Sequence, residues 1–321
     1  MELISGECIV ITGAAGFTGR HACIHFRERG LKVTALVHHA CQELTATEID
    51  VIVCDLLDTS AVAAAMQQAK PDYVLHLAGF NSVTASRRYP IQAVQVNVLG
   101  TIHVLDALRV MPHVRALIIT SRLKASLEKL RSPQHPYAFS KRMQEIATSA
   151  WLNMYGLDVM IAEPTNLIGP GISTGICSLI GQYVAQSERG WKERHLLLND
   201  KQTKRDYMDV RDAVAAYEIL LEHGEAGEVY AVQSGVEREL GEIVQTFRRL
   251  ALVDVPFRWQ HEFNDIDKDA QQLHDIQSYV PLHEMDAKLM PKSWGFRPTR
   301  VFEHSVADIL NYYRNEGEDM T

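Results

Sequence analysis

A tyrosine and a lysine stand four positions apart in the segment PYAFSK, residues 136–141. On a helix, residues i and i+4 lie on the same face, so this spacing would place the ammonium of Lys141 beside the phenol of Tyr137. A neighbouring positive charge stabilises a phenolate and lowers the pKa of the phenol, which allows proton exchange near neutral pH. The pair predicts acid–base chemistry, with a solvated surface pair as the alternative. Hydroxyls at Thr120 and Ser121 favour the chemistry, because they end a strand-like run, where ligands of parallel sheets bind.

A glycine-rich segment, TGAAGFTG at residues 12–19, is the strongest local signal upstream of this pair. It follows an apolar run at residues 8–12 and opens a stretch with helical periodicity at residues 17–29. Glycines at such a turn let the backbone approach a pyrophosphate, whose charge is met by N–H groups at the helix N-terminus. The segment therefore predicts a dinucleotide-binding turn that includes Gly13, Gly16, Phe17, Thr18 and Gly19.

The end of the second predicted strand bears on the choice of dinucleotide. A carboxylate there would accept hydrogen bonds from the ribose hydroxyls of NAD, but it would repel the 2′-phosphate of NADP. The chain has ALVHH at residues 35–39, without an acidic residue. We therefore expect NADP(H) rather than NAD(H), with His38 as the candidate phosphate contact, although both histidines would also suit a solvated loop.

Strand-like and helical segments alternate through the first half of the chain. Apolar runs at residues 8–12, 32–37, 51–54, 73–77, 116–120 and 159–162 are separated by helical stretches such as 60–68, 91–110 and 140–154. This alternation predicts βαβ units and a parallel sheet covered on both faces. The expected fold class is α/β, a Rossmann-type doubly wound parallel sheet with a smaller C-terminal substrate-binding domain.

The alternation stops near residue 166, just before Gly169, Pro170 and Gly171 interrupt the chain. We expect a dinucleotide-binding domain at residues 1–166, with a return segment at about 206–232. The substrate-binding domain is expected at residues 167–205 and 233–321, with a last helix at 302–314. The segment WGFRP, residues 294–298, is expected to pack within this smaller domain.

Composition excludes several classes of function. The 321 residues include 32 Lys and Arg against 40 Asp and Glu, a net charge of −8, so the basic excess of a nucleic-acid-binding protein is missing. No run of 18 apolar residues and no signal peptide is evident, so no membrane span is expected. Five cysteines without CxxC spacing predict reduced thiols in a cytoplasmic protein, and no metal site is expected.

Several stretches together resemble the extended short-chain dehydrogenases/reductases, the NAD(P)-dependent epimerase/dehydratase family. They are residues 12–19, Asp55-Leu56, KPDYVLHLAG at 70–79, NVLGT at 97–101, YAFSK at 137–141, residues 164–171 and RDYMDVRD at 205–212. Within the family, the sequence is most similar to NADP-dependent reductases of 4-keto-6-deoxy nucleotide sugars, of the GDP-4-keto-6-deoxymannose kind. The resemblance implies hydride transfer to C4 of a nucleotide-diphosphate sugar.

The resemblance also implies roles for single residues. Tyr137 would protonate the alkoxide, Lys141 would tune it and hold the nicotinamide ribose, and Thr120, ahead of its neighbour Ser121, would bond the ketone oxygen. Asn97 would support the cofactor site, with the tying of a helix as its alternative role. The other implied contacts are Asp55, Leu56, Leu77, Ala78, Gly79 and Pro164 to the cofactor, and Asn166 and Arg205 to the substrate. A surface ion pair is the alternative for Arg205.

The chain departs from the family pattern after residue 121. Relatives commonly carry Ser-Ser-x-x-Tyr-Gly there, whereas this chain has TSRLKA at residues 120–125. Sugar 4,6-dehydratases need an acid/base pair, typically Asp-Glu, just after the hydroxyl, and Arg122 and Leu123 cannot supply it. Dehydration is therefore disfavoured. An NAD-dependent nucleotide-sugar 4-epimerase remains the alternative enzyme, and a dinucleotide-sensing partner protein is the non-enzymatic alternative.

Two further expectations concern the substrate and the assembly. Lys124 and His135 flank the presumed site and could add positive potential for a diphosphate. Relatives often place a diphosphate-binding Arg within residues 273–280, where this chain offers His274. For these residues, solvated loop charges are the alternative. The resemblance implies a homodimer formed by the helices at 91–110 and 140–154, which could instead only cover the sheet.

Overall fold

The computed structural model describes residues 3–41, 44, 49–121, 133–191, 196–198, 200–259 and 287–315. These residues form two compact units. The first comprises the described parts of Met1–Pro164, Val214–Val232 and Ser278–Phe296. The second comprises the described parts of Thr165–Ala213, Gln233–Gln277 and Arg297–Thr321. The chain returns to the first unit later than the expected position near residue 206.

The first unit is built on a parallel sheet of eight strands. Every pairing in this sheet is parallel. The strands of the described chain are β1 (Cys8–Thr12), β2 (Lys32–Val37), β3 (Asp50–Val53), β4 (Tyr73–His76), β5 (Arg115–Ile119), β6 (Asp158–Pro164), β7 (Asn166–Ile168), β8 (Leu197–Leu198), β9 (Lys204–Asp209), β10 (Val229–Val232), β11 (Glu237–Glu239), β12 (Arg258–Trp259) and β13 (Lys288–Leu289). The order β3-β2-β1-β4-β5-β6 is that of a dinucleotide-binding sheet, so the expected fold class is confirmed.

The apolar runs of the sequence explain why the sheet forms. The side chains of β1 from Ile9 to Ile11 are fully buried, as are Val74 and Leu75 of β4. A strand that is apolar at consecutive positions buries both of its faces, which requires helices on both sides of the sheet. A cluster from β1, β4, β5 and the neighbouring helices forms the core on one side.

The helices of the described chain are α1 (Phe17–Glu28), α2 (Thr59–Ala69), α3 (Val83–Arg88), α4 (Pro90–Val94), α5 (Gly100–Leu108), α6 (Pro136–Tyr155), α7 (Ile176–Glu188), α8 (Val210–His223), α9 (Leu240–Leu250) and α10 (Phe302–Asn315). A π-helical turn, Gln95–Leu99, joins α4 to α5. The longest helix, α6, starts four residues before the expected position and therefore includes Tyr137 in its first turn.

The stretch Pro90–Leu108 passes a test of length and composition for a membrane-spanning helix, with 19 residues and a mean hydropathy of 1.2. A core helix of a globular protein passes the same test. Here Val104, Leu105 and Leu108 of α5 lie within the core of the first unit, which accounts for the apolar composition of α5.

The second unit has its own core and two small sheets. Strand β9 lies between β11 and β7, antiparallel to the former and parallel to the latter, and β12 pairs with β8. Helices α7, α9 and α10 contribute Ile180, Phe247 and Ile309, which are fully buried. Because β9 belongs to this unit, residues 206–209 do not join the large sheet.

The expected packing of Trp294 within the smaller domain is wrong. Trp294 belongs to the first unit, where its ring lies 5.6 Å from the ring of Tyr230 and 5.9 Å from that of His223, measured between centroids. Strand β13 brings it there, because Lys288 and Leu289 pair with Tyr230 and Ala231 of β10.

Candidate active site

Most of the residues predicted to bind the cofactor lie at the carboxyl ends of neighbouring strands. The register pairs Thr12 with both Leu36 and His76, and pairs His76 with Ile118, so β1, β2, β4 and β5 end close to the same edge of the sheet. The predicted residues that follow these strands or β3, or that lie at the end of β6, are His38, Asp55, Leu56, Leu77, Ala78, Gly79, Thr120, Ser121 and Pro164. The fold thus collects at one edge groups as distant in sequence as His38 and Pro164, which are 126 positions apart.

The glycine turn is tightly packed and suits a pyrophosphate. Gly13 has φ +66, and a Cβ there would lie 2.7 Å from the backbone nitrogen of Ala78. A Cβ on Gly19 would lie 2.7 Å from the Cα of Ala14. Helix α1 begins after Gly16 without a side-chain cap and without an acidic residue in its first turn. Its first N–H groups can therefore donate to an anion.

Two imidazoles follow β2 in the place where NAD-binding sheets carry a carboxylate. His38 and His39 are both exposed, and their ring centroids lie 4.1 Å apart. Asp55 is also exposed after β3, where its Oδ1 accepts from the backbone N–H of Leu57 at 2.9 Å. His38, the predicted phosphate contact, and Asp55, another predicted cofactor contact, are thus both accessible.

The N-terminus of α6 positions Tyr137. His135 is the N-cap residue, and its Nδ1 accepts from the backbone N–H of Ala138 at 3.0 Å. The backbone N–H of Tyr137 donates to Ser86 Oγ of α3 at 3.1 Å. Because Nδ1 of His135 is an acceptor, its ring is neutral, and burial together with the charge of Arg87 lowers its pKa. His135 therefore does not provide the positive potential that was expected of it.

The phenol of Tyr137 is hydrogen-bonded to the hydroxyl of Ser121. Tyr137 is 7% exposed, and burial raises the pKa of its phenol, while the bond to Ser121 opposes the rise. The expected lowering of this pKa by Lys141 is not found, because desolvation dominates and the ammonium bonds another group. Thr120 Oγ1 instead donates to the carbonyl of Ala162 on β6, at 3.4 Å.

Lys141 is buried one helical turn after Tyr137. Its Nζ donates to Gln144 Oε1 at 3.1 Å, and burial lowers the pKa of the ammonium to about 7. A Cβ on Gly79 would lie 3.1 Å from this Nζ and 3.0 Å from Asn97 Oδ1. A larger residue at position 79 would therefore crowd these polar groups next to the segment that follows β4.

Asn97 connects two parts of the site. Its Oδ1 accepts from the backbone N–H of Phe80 at 2.7 Å, and its Nδ2 donates to Ser140 Oγ at 2.8 Å. The side chain is fully buried. Asn97 thus ties the segment after β4 to helix α6, which is the alternative role that the sequence left open for it.

The predicted substrate contacts lie elsewhere in the chain. Asn166 and Arg205 belong to the second unit, on β7 and β9. Asn166 Nδ2 donates to the carbonyl of Asp206 at 3.0 Å, so its amide also ties β7 to β9. Lys124 and His274 lie outside the described residues.

Sequence reasoning missed two residues that contact the pair, Ser86 and Gln144. Ser86 holds the backbone of Tyr137, and only the tertiary structure brings α3 to α6. Gln144 could have been found, since it lies three positions after Lys141 and residues i and i+3 share a helix face.

Comparisons with known proteins agree with this geometry. The sequence matches the NAD dependent epimerase/dehydratase family over residues 9–232. It is 29% identical to GDP-6-deoxy-D-mannose reductase of Pseudomonas aeruginosa, over 94% of this chain and 96% of that protein. It is 26% identical to dTDP-glucose 4,6-dehydratase of Xanthomonas campestris pv. campestris, over 95% and 92%.

A solved structure of RMD from Pseudomonas aeruginosa complexed with NADPH is similar throughout. It superposes with a TM-score of 0.74 at 25% identity and covers 97% of this chain and 98% of that chain. Because the family match spans more than half of the chain and contains the glycine turn and the Tyr137/Lys141 pair, the chain belongs to the NAD dependent epimerase/dehydratase family and is an NAD(P)-dependent enzyme of the extended short-chain dehydrogenase/reductase type.

Proposed function

We propose that this enzyme reduces the C4 ketone of a 4-keto-6-deoxy nucleotide-diphosphate sugar with NADPH. A dinucleotide held at the glycine turn would supply the hydride that C4 receives. Tyr137 gives its phenolic proton to the ketone oxygen, so the products are an alcohol and the oxidised dinucleotide. The proton on Tyr137 is then restored from solvent. Lys141 holds the nicotinamide ribose and provides positive charge while the phenolate exists.

The protonation state of Tyr137 suits the proposed role. A phenol that protonates the ketone oxygen must carry its proton before hydride transfer. Burial raises the pKa of Tyr137, so the phenol holds this proton. The bond between Ser121 and Tyr137 favours Ser121, rather than Thr120, as the second hydroxyl on the ketone oxygen.

The observation that carries the choice of cofactor is the end of β2. No carboxylate is present there to repel a 2′-phosphate, and the exposed His38 can donate a hydrogen bond to it. The similar structure contains NADPH, which agrees with this choice. Gly13, Gly16 and Gly19 would hold the pyrophosphate through the open N-terminus of α1.

The substrate class rests on the similarity to GDP-6-deoxy-D-mannose reductase and on the residues after Ser121. Arg122 and Leu123 cannot exchange protons at C5 and C6, so dehydration is disfavoured despite the similarity to a dehydratase. Asn166 and Arg205 are the proposed substrate contacts, because an amide and a guanidinium suit sugar hydroxyls and phosphate oxygens.

The test is a direct assay of hydride transfer. Purified protein is given GDP-4-keto-6-deoxymannose with NADPH or NADH, and the loss of reduced dinucleotide and the sugar product are measured. We expect faster turnover with NADPH, and a loss of about 10²–10⁴-fold in kcat for Tyr137→Phe. Tightly bound NAD in the purified protein, together with epimerisation and no net consumption of reductant, would identify the 4-epimerase instead.

We also propose a homodimer formed through α4, α5 and α6, in a cytoplasmic protein. Ile91, Leu99, Met154 and Tyr155 expose between 43% and 72% of their surface on these helices and the π-helical turn. All five cysteines are unpaired, which suits a reducing compartment. Light scattering should find a dimer that Ile91→Glu weakens, whereas Ile24→Glu, on α1, should not. A monomeric wild-type protein would refute this assembly.

A further inference from the structure

A buried chain of hydrogen bonds leads away from the ammonium of Lys141. Its Nζ donates to Gln144 Oε1 at 3.1 Å, and Gln144 Nε2 donates to Thr101 Oγ1 at 3.0 Å. Gln144 and Thr101 are both fully buried. We propose that Gln144 is a positioning residue that holds the ammonium of Lys141 in its charged, bonded orientation for the reaction. This inference rests on the role proposed above for Lys141.

Proton counting fixes the orientation of the Gln144 amide. The hydroxyl of Thr101 has one proton, which it donates to the carbonyl of Asn97 at 2.8 Å. It must therefore accept from its two other neighbours, Gln144 Nε2 and His76 Nε2, the latter at 2.9 Å. The NH₂ group of Gln144 is thus directed to Thr101, and its oxygen is directed to Lys141. A flipped amide would lose both bonds.

The hydrogen bonds of Thr12, in the glycine turn, likewise fix the protonation state of His76. Thr12 Oγ1 accepts from the backbone N–H of Ala78 at 3.1 Å, which leaves its own proton for His76 Nδ1 at 2.8 Å. His76 is therefore neutral, with its proton on Nε2, as its donation to Thr101 requires. Burial and the charge of Lys141 lower the pKa of His76 to about 3, so the ring keeps this state across the working pH range.

The kind of acceptor matters for the charge on Lys141. A buried ammonium without a partner loses its proton easily, whereas a carboxylate partner would hold the proton up to high pH. The amide lies between these extremes, because it is a good acceptor without a charge. It accepts one of the three N–H groups of Lys141, which leaves two for other acceptors, among them the ribose of the proposed cofactor.

Two substitutions of similar size separate positioning from packing. Gln144→Met removes the acceptor, and Gln144→Glu replaces it with a charge. The matched control is Thr148→Val, which removes a buried hydrogen bond on the same helix, from Thr148 Oγ1 to the carbonyl of Gln144 at 2.8 Å, without touching Lys141. Among the described residues, His76 on β4 is the titratable group whose pKa the charge of Lys141 lowers, and it stays neutral over the pH range of the experiment.

The primary measurement is the titration of Lys141 itself, followed by carbon-13 NMR of labelled lysine, with the signal assigned by its loss in Lys141→Met. We expect the midpoint to fall by about one pH unit or more in Gln144→Met and to rise by a similar amount in Gln144→Glu. Thr148→Val should leave it unchanged. This readout does not need the substrate, so it stays informative if no ketosugar is reduced.

The activity profile is the second measurement. In NADPH-dependent reduction, the alkaline limb of the pH profile of kcat should move to lower pH in Gln144→Met and to higher pH in Gln144→Glu, as the lysine midpoint does. At a pH above its own lysine midpoint, Gln144→Met should have a kcat about tenfold below that of wild type. Equal shifts in both variants, no shift in either, or an equal shift in Thr148→Val would overturn the proposal. Should Gln144→Met fail to fold, the rise in Gln144→Glu decides alone.

Discussion

The buried ammonium of Lys141 should make the stability of this protein depend on pH in a way that one substitution removes. Lys141 is 2% exposed, and burial lowers its pKa from 10.5 to about 7. Lys141→Met keeps a chain of similar length without the charge. Below about pH 7, Lys141 is protonated in both the folded and the unfolded wild-type protein. Folding then buries the charged ammonium, which lowers the free energy of unfolding by the largest amount.

The direction in which stability changes with pH follows from the number of protons that the folded and unfolded states bind. Between about pH 7 and the pKa of the unfolded chain, the unfolded state binds the extra proton, so wild-type stability rises with pH. At about 1.4 kcal/mol per pH unit, two units above the folded pKa give a gain of about 3 kcal/mol, which is absent in Lys141→Met. Because the side chain is buried, solvent screening reduces this figure little.

The assay is urea unfolding of the dinucleotide-free protein at about pH 6 and about pH 9, with the free energy of unfolding taken from tryptophan fluorescence. We expect the difference between Lys141→Met and wild type to change by about 3 kcal/mol in favour of wild type at the higher pH. Lys32→Met removes an exposed lysine of β2. The difference in unfolding free energy between this variant and wild type should be nearly the same at both pH values. Parallel stability profiles for Lys141→Met and wild type would refute the burial of a titrating ammonium.

Three other predictions concern the site. Ser121→Ala should lower kcat by about 10²-fold or more and raise the pKa of Tyr137 further. Thr120→Val should change kcat little and lower the free energy of unfolding by about 1 kcal/mol. The reverse pattern would assign the reaction to Thr120. His38→Asp should raise KM for NADPH far more than KM for NADH, and equal effects on both would exclude His38 from the phosphate site. His135→Ser replaces a titrating cap with one that does not titrate. Since the folded pKa of His135 is depressed, its cap is lost as pH falls, so the variant should unfold less readily in acid, as thermal melts would show.

The sequence by itself determined the fold class, because alternating apolar strands and helices admit few arrangements other than a parallel sheet covered on both faces. It also determined the tight turn before α1, since glycines at positions 13, 16 and 19 suit a local backbone conformation with little room for side chains. The Tyr137/Lys141 spacing was equally visible, because helix periodicity is a local property.

Only the tertiary structure decided the chemistry around that pair. Desolvation depends on the whole surrounding fold, so no local pattern could predict that burial raises the pKa of Tyr137 and lowers that of Lys141. Partners that are distant in sequence, such as Ser86 for the backbone of Tyr137, were equally hidden. The choice between Thr120 and Ser121 depends on which way each hydroxyl turns at the end of β5, and successive residues of an extended chain point to opposite sides. Sequence spacing fixes which residues can share an element, but burial and contacts between elements fix what those residues can do.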